Sequence, residues 1–305
     1  MVWQRTLTRA VALEGIGLHS GRAVRLRLEP APAGYGLRFV RTDLPGKPQI
    51  RAHYTQVVDT LRATTLGSGE AKLATVEHLL AALWGLGVDN ALIEVDGPEL
   101  PIMDGSAASF AGSLWQAGFR SLPWPRSYLI IRRPVELRED HQWMRVAPGR
   151  PCISYSIDFP HPLIRQQRYT FRLDDNSFRR EIAPARTFGF LKEVQYLKDL
   201  GLARGGSLDN ALVLDDQKVL NPGGLRFPEE FVRHKILDAL GDLALLGLHL
   251  VGRVEVSRGS HALHQRFMEH LMQQKEAWRL WTPPLHNRKF SATWRPASAW
   301  EGMAA

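Results

Sequence analysis

Residues 230 to 247 read EFVRHKILDALGDLALLG, a stretch of mostly Leu, Ile, Ala and Val that nonetheless carries His234, Asp238 and Asp242. At about 100° per residue the three titratable side chains fall on one narrow stripe of a helix. Val232, Ile236, Ala239, Leu240 and Leu243 fall on the other side, and Leu237, Ala244 and Leu245 flank the stripe. The helix is therefore apolar nearly all round and is expected to be buried. Buried carboxylates need partners, because unpaired charge is costly away from water. A divalent cation is one such partner. His and Asp at i and i+4 project from one face, and zinc takes imidazole nitrogen and carboxylate oxygen, with three protein ligands and a water in catalytic sites. The plainer alternative is a His234–Asp238 pair helped by Lys235 or Arg233, and the HxxxD spacing alone does not choose.

A third ligand must come from elsewhere. The segment TVEHLL offers Glu77 and His78 in the first turn of another helix. There His78 could hold an ion while Glu77, kept off the metal, takes a proton from its water. Against this, acids are favoured in any first turn by the helix dipole, and a buried histidine is often only packed. The segment SRGSHALHQ adds His261 and His264. An imidazolium at His261 could protonate a leaving amine or steady an oxyanion. A helix start disfavours that cation, so it would need a carboxylate, and Asp242, too far along its stripe for a compact metal site, is the candidate. His264 is an equally titratable neighbour, and each could instead decorate a surface turn.

The elements that must carry these side chains come from a chain of 305 residues, 44% hydrophobic and 23% charged. That length suits one large domain or two of about 150 residues. No run approaches the roughly 18 apolar residues of a membrane span. The N-terminus, MVWQRTLTRAVALEGIG, lacks the apolar stretch of a secretory signal. A single cysteine, Cys152, leaves no internal disulfide and fits a reducing compartment, so a cytoplasmic location is expected. The net charge of +8 is spread along the chain. It suits nucleic acid, an anionic membrane face, a phosphate-bearing substrate, or simply a solvated surface.

FRSLPWPRSY (119–128) holds two prolines between patterned segments and marks a domain boundary. Before it, strands are predicted over 23–30, 37–43 and 91–95, with helices over TVEHLLAALWGLG, where Thr75 is the expected N-cap, and over 106–118, with Ser106 as cap. After it, strands are predicted over 128–137, 143–147, 152–158 and 168–173, a long helix over 229–247, a strand over 249–257 and a last helix over 260–278. Both halves run strands and then helix–strand–helix. The fold class expected is α+β: two similar domains, each a β-sheet packed with two helices, with the active site between them. The first domain would span 1–122 and supply Glu77 and His78. The second would span 127–280, supply His234, Asp238 and His261, and carry an inserted amphipathic helix near 187–206. Residues 281–305 would form an irregular tail.

Taken together, these segments closely resemble the UDP-3-O-acyl-N-acetylglucosamine deacetylase family of lipid A biosynthesis. The resemblance runs in order through QRTLTRAVALEGIGLHSG, TVEHLLAALWGLGVDN, ELPIMDGSAASF, ARTFGF, GGSLDNALV, LRFPEEFVRHKILDALGDL, GSHALH and KEAW, nearly the whole chain. It implies a zinc-dependent amide hydrolase, with Fe²⁺ also accepted by such ligands. Metal ligands carry over to His78, His234 and Asp238, the general base to Glu77, a second catalytic group to His261 and its supporting carboxylate to Asp242. Thr187 of RTFGF would help polarise the substrate carbonyl. Substrate contacts carry over to His19, Phe188 and Lys235, and Leu191, Gly206, Ser207 and Val213 would line a passage for the acyl chain. Plain core packing is the alternative for that inserted helix. The sequence departs from the family pattern at Ser260, where glycine is usual, at His264, where asparagine is usual, and at Ala63, where some relatives carry cysteine.

The resemblance implies an acylated UDP-N-acetylglucosamine substrate, no nucleic-acid partner, no membrane span, room for transient contact with the inner membrane surface, and a monomer. Whether His261 or Glu77 protonates the leaving amine stays open. Two rival readings are a zinc amidohydrolase of another N-acyl substrate and an RNA-binding α+β module. The second leaves the His/Asp stripe without a role.

Overall fold

The protein is described from a computed structural model, which covers residues 3–172 and 177–284. The first half runs β1 (Trp3–Leu7), β2 (Val11–Ile16), β3 (Ala23–Pro30), β4 (Leu37–Arg41), β5 (Gln49–Arg51), β6 (Val57–Asp59), β7 (Thr65–Ser68), β8 (Ala71–Leu73), α1 (Glu77–Gly85), β9 (Ala91–Val95), α2 (Ala108–Ala117) and β10 (Phe119–Pro125). The second half begins with β11 (Tyr128–Ile131), β12 (Val135–Glu139), β13 (Gln142–Ala147), β14 (Cys152–Phe159), β15 (Arg165–Arg172), β16 (Phe188–Phe190), α3 (Leu191–Asp199) and β17 (Leu212–Leu214). It ends with α4 (Glu230–Ala244), β18 (His249–Val251), β19 (Arg253–Ser257), α5 (His261–Gln273) and β20 (Trp278–Trp281).

The fold is α+β, and its two main sheets repeat one plan. The first has the order β2-β3-β9-β4-β5 and the second β12-β13-β19-β14-β15. In each, the central strand (β9 or β19) pairs antiparallel with one neighbour and parallel with the other. In β3 the alternation of AVRLRLEP does what period-two patterning requires: Val24, Leu26 and Leu28 are buried while Arg25 and Arg27 face out. In each half one helix precedes the central strand and one follows it, α1 and α2 around β9 and α4 and α5 around β19. One apolar cluster runs continuously from Leu26 and Phe39 through Leu79–Leu83 of α1 and Ile236–Leu243 of α4 to Met144 and Ile153.

The inner helices are α1 and α4, and nearly every residue of both is buried. They touch so closely that a Cβ at Gly241 would collide with the Glu77 carbonyl. That contact brings the first turn of α1 against the polar stripe of α4.

Several boundaries depart from the sequence reading. The proline-bearing segment after α2 is itself a strand, β10, paired with β1. The expected strand 128–137 breaks in two, with Pro134 between β11 and β12. The expected strand 249–257 splits at Gly252 into β18 and β19, which join different sheets. A Cβ at Gly252 would crowd Ile131 and the Ala147 carbonyl, so the crossing needs glycine. The last helix stops at Gln273, and Trp278–Trp281 form a strand beside β11. The expected irregular tail lies almost wholly outside the described residues. The inserted helix is shorter than 187–206: Phe188–Phe190 form a strand and the helix spans Leu191–Asp199.

Candidate active site

The entry to α1 differs from expectation. Thr75 adopts a left-handed backbone (φ 59°), and its hydroxyl donates to Glu99 at 3.0 Å rather than capping the helix. Val76 occupies the cap position without a side-chain hydrogen bond. Glu99 is buried and also accepts the backbone N–H groups of His19 (2.9 Å) and Ser20 (2.7 Å). One carboxylate therefore ties the His19 loop to the turn that launches Glu77 and His78. At α2 the cap position falls on Ala107 without a side-chain hydrogen bond, not on the expected Ser106, whose Oγ accepts the Ala108 N–H at 3.1 Å from one residue earlier.

Next to that turn, His78, His234 and Asp238 bring one ligand atom each to within 4.8 Å of the others. Nε2 of His234 lies 3.2 Å from Asp238 Oδ1, and Nε2 of His78 lies 3.6 Å from the same oxygen. Ligand atoms about 2.0–2.1 Å from a tetrahedral zinc stand roughly 3.3–3.4 Å apart, so both separations match a coordination edge. Around the trio, Nδ1 of His234 donates to the Ala185 carbonyl (3.1 Å), which leaves Nε2 as the lone-pair nitrogen. Lys235 donates to Asp238 Oδ2 at 2.7 Å and leaves Oδ1 for the convergent side. His78 Nδ1 is buried with no partner among the described residues. Two imidazoles and a carboxylate so arranged fit a borderline divalent ion. Burial opposes ionisation of Asp238, but His234 and Lys235 outweigh it and hold the carboxyl well below its usual range.

Glu77 is buried beside His78, and its Oε2 accepts the Thr64 N–H at 3.1 Å. Burial, reinforced by Asp242 and Asp238 against the opposing pull of His261 and His78, raises its pKa. That is the direction a general base working near neutral pH needs.

The third stripe residue, Asp242, faces two imidazoles of α5. Asp242 Oδ2 lies 2.8 Å from His261 Nδ1, and His264 Nδ1 lies 2.8 Å from the same oxygen. Thr64 donates to Asp242 Oδ1 at 2.6 Å. Burial alone would lower the His261 pKa, but the charge and hydrogen bond of Asp242, with Glu77 and Asp238 adding, push it up to about 9. The converse holds for Asp242: burial opposes its charge, yet His261 and the two imidazole hydrogen bonds keep it well below the usual carboxylate range. His261 is the first residue of α5, where the helix dipole disfavours a cation, and Asp242 offsets that.

Of the residues expected to meet substrate, Phe188 and Lys235 touch this cluster. Phe188 packs edge-on to His234 with ring centroids 6.5 Å apart, and Thr187 precedes it, held by its N–H to the Gly105 carbonyl at 2.8 Å. His19 accepts a long hydrogen bond from the Ala203 N–H (3.4 Å) at Nδ1, and its Nε2 is buried without a partner among the described residues. Lys235 is turned to Asp238. Val213 sits mid-strand in β17 opposite Gly189. Gly206 and Ser207 lie in a turn held by Gly206 N–H to Ala203 O and Ser207 N–H to Asn210 Oδ1. Leu191, 49% exposed, opens α3, a helix with no buried residue among its described side chains. The insertion crosses to the first half through Arg62–Glu193 (3.3 Å) and Gly205 N–H to Leu18 O (3.0 Å).

Sequence reasoning missed Thr64, Gly241 and the Ala185 carbonyl. Thr64 and Gly241 carry no chemical signature. Their roles come from contacts across the fold, and only the Gly-Asp step inside a strongly helical run hinted at a close approach.

The described residues thus form an α+β fold with a buried His/Asp group that could hold a metal ion. A family described as UDP-3-O-acyl N-acetylglycosamine deacetylase matches residues 4–273. Similar proteins named UDP-3-O-acyl-N-acetylglucosamine deacetylase come from Myxococcus xanthus (strain DK1622), 49% identical over 91% of this chain and 88% of that one, and from Geotalea uraniireducens (strain Rf4), 45% identical over 98% of this chain and 99% of that one. The chain belongs to the UDP-3-O-acyl N-acetylglycosamine deacetylase family. Among the described residues no helix is long and apolar enough to cross a membrane.

Proposed function

We propose that the protein is a metal-dependent hydrolase that removes the N-acetyl group from UDP-3-O-(3-hydroxyacyl)-N-acetylglucosamine, in the committed early stage of lipid A biosynthesis. Water adds across the amide: the acyl carbon gains oxygen, the C–N bond breaks, and acetate and a free 2-amino sugar leave. His78, His234 and Asp238 hold the ion, zinc first and Fe²⁺ second. The chemistry such an ion supplies when bound is Lewis acidity toward a water and the acetamide carbonyl. Glu77, off the ligand set and with a raised pKa, takes the proton from the attacking water. His261 has its Nδ1 committed to Asp242, so its Nε2 is the nitrogen that offers a proton to developing negative charge or to the departing amine. Protonation of the amine by Glu77 is the other route. The Thr187 hydroxyl assists at the carbonyl oxygen.

His19, with its unpartnered buried Nε2, suits a hydrogen bond to the sugar or its diphosphate. Lys235 orients Asp238 and adds positive charge toward the phosphates. Phe188 meets the substrate, and Leu191, Gly206, Ser207 and Val213 line the way for the acyl chain. We place the division between the two domains at residues 123–126 and the site between them. We also place the protein in the cytoplasm, as a monomer that meets its lipid substrate by transient contact with the inner membrane surface. No nucleic acid is involved.

One observation carries the reading: three ligand atoms within 4.8 Å of one another, both imidazole nitrogens at coordination-edge spacing from the carboxylate oxygen, lie beside a buried carboxylate and an Asp-backed imidazole, in a chain of this family. The experiment is acetate release from acylated and unacylated UDP-N-acetylglucosamine, before and after chelation. Metal-dependent release with strong preference for the acylated sugar is expected. Equal rates on both sugars would remove the acyl passage, and full activity after complete metal stripping would remove the hydrolytic site.

A further inference from the structure

We propose that His264 is a positioning residue for the reaction: by sharing the Asp242 carboxylate with His261, it sets how firmly and in what orientation Asp242 holds the catalytic imidazole. The proposal rests on the role given to His261 above.

His264 is 1% exposed and both ring nitrogens face protein groups. Nδ1 is 2.8 Å from Asp242 Oδ2, and Nε2 is 3.4 Å from the Tyr155 hydroxyl. Tyr155 is fully buried on β14, and burial holds its phenol in the protonated form. Its O–H is therefore available to donate to Nε2, which leaves Nδ1–H to donate to Asp242. The local chain is built for this contact. Ser260 caps α5 by accepting the Leu263 N–H at 3.2 Å, and spacing of i and i+3 brings His261 and His264 to one side of the first turn. A Cβ at Gly259 would stand 2.6 Å from the Tyr155 hydroxyl and 3.0 Å from His264 Nε2, so only glycine leaves room for the pair.

The groups that face this carboxylate come from five places. Thr64, just before β7, donates to Oδ1. His261 and His264 on α5 both donate to Oδ2. Glu77 on α1, Asp238 on α4 and Tyr155 on β14 act through their charge or dipole. The Tyr155–His264 branch ends in the core, so it is no proton path to solvent. Its effect falls on Asp242. A second donor on Oδ2 draws off part of the charge that would otherwise bear on His261, and it stops the carboxylate from rotating. Without that donor, Asp242 would grip His261 harder and hold it less well aligned.

The experiment compares His264→Leu, which keeps volume without a donor, with His264→Asn, whose side-chain N–H₂ reaches the δ position. In metal-free protein, ¹H NMR should show one downfield imidazole N–H proton fewer in His264→Asn than in the parent. The His261 titration should move up by roughly 0.5–1 pH unit in His264→Leu and stay within about 0.3 unit in His264→Asn, as expected for one hydrogen bond to a charged group. In the metal-loaded enzyme, kcat should fall about tenfold in His264→Leu with KM within about twofold, and His264→Asn should stay within about threefold of the parent. An unmoved His261 titration in His264→Leu overturns the proposal, as does an equal loss of kcat in both variants. Should His264→Leu fail to fold, the proton count in the parent and His264→Asn decides: an equal number of downfield imidazole protons in both would overturn the proposal. Failure of the deacetylase reading would look different, with no acetate released by the parent while the titrations still diverged.

Discussion

Nε2 of His78, on α1, stands 3.6 Å from Oδ1 of Asp238, on α4, and Nε2 of His234 stands 3.2 Å from that same oxygen. Both separations exceed the 2.8 Å of the hydrogen-bonded Asp242–His261 pair a turn further along α4. The two clusters are built from the same residue types but differ in spacing, one open enough to share an ion and one closed into a dyad.

Purified protein is therefore expected to carry about one zinc or iron per chain, and His78→Ala or Asp238→Asn to lose it. Loss of one of three protein ligands should weaken binding by at least the 10–100-fold typical of losing an outer-shell partner. Metal analysis after gel filtration checks this, and full occupancy in His78→Ala would exclude the site.

Glu77 lies off the ligand set. Glu77→Gln should keep metal content near that of the parent while kcat falls by roughly 10²–10⁴, the usual contribution of a general base. A kcat within threefold of the parent would remove Glu77 from catalysis.

The raised pKa of His261 has a signed consequence for stability. Its value is about 9 in the fold against an ordinary 6.5. The stabilisation is fully present below 6.5 and is lost as pH rises through 9. In metal-free protein, Tm should therefore fall between pH 7 and 10, and fall less in His261→Gln. A bound dication nearby disfavours the imidazolium, so the same titration in loaded protein should sit lower. NMR titration with and without zinc reads both. A metal-free pKa near 6.5 would contradict the dyad.

Gly241 tests the helix contact itself. A methyl group there collides with the Glu77 carbonyl. Gly241→Ala gains helix propensity, yet it should lose about 1–3 kcal/mol to overpacking and shift Glu77 and His78 off their partners. The expected result is a lower denaturant midpoint together with reduced metal content. A stabilised, fully active Gly241→Ala would mean that α1 and α4 can separate without cost to the site.

Much of this molecule was legible in one dimension, because period and residue chemistry are local properties. AVRLRLEP and ALIEV became strands over the stated residues, and the long helix with its polar stripe formed within three residues of the expected ends at Glu230 and Ala244. Ligand-type side chains could be nominated from type and spacing, and the family resemblance assigned their roles. Three-dimensional packing decided the rest. It turned Thr75 away from α1 toward Glu99, split 249–257 between two sheets, and folded the segment after α2 into a strand. It also set Thr64 between Glu77 and Asp242, and gave Asp242 to both His261 and His264 at once. Such placements depend on which surfaces meet and how closely, here on a missing Cβ at Gly241. No pattern along the chain encodes the distance between two helices that are far apart in sequence.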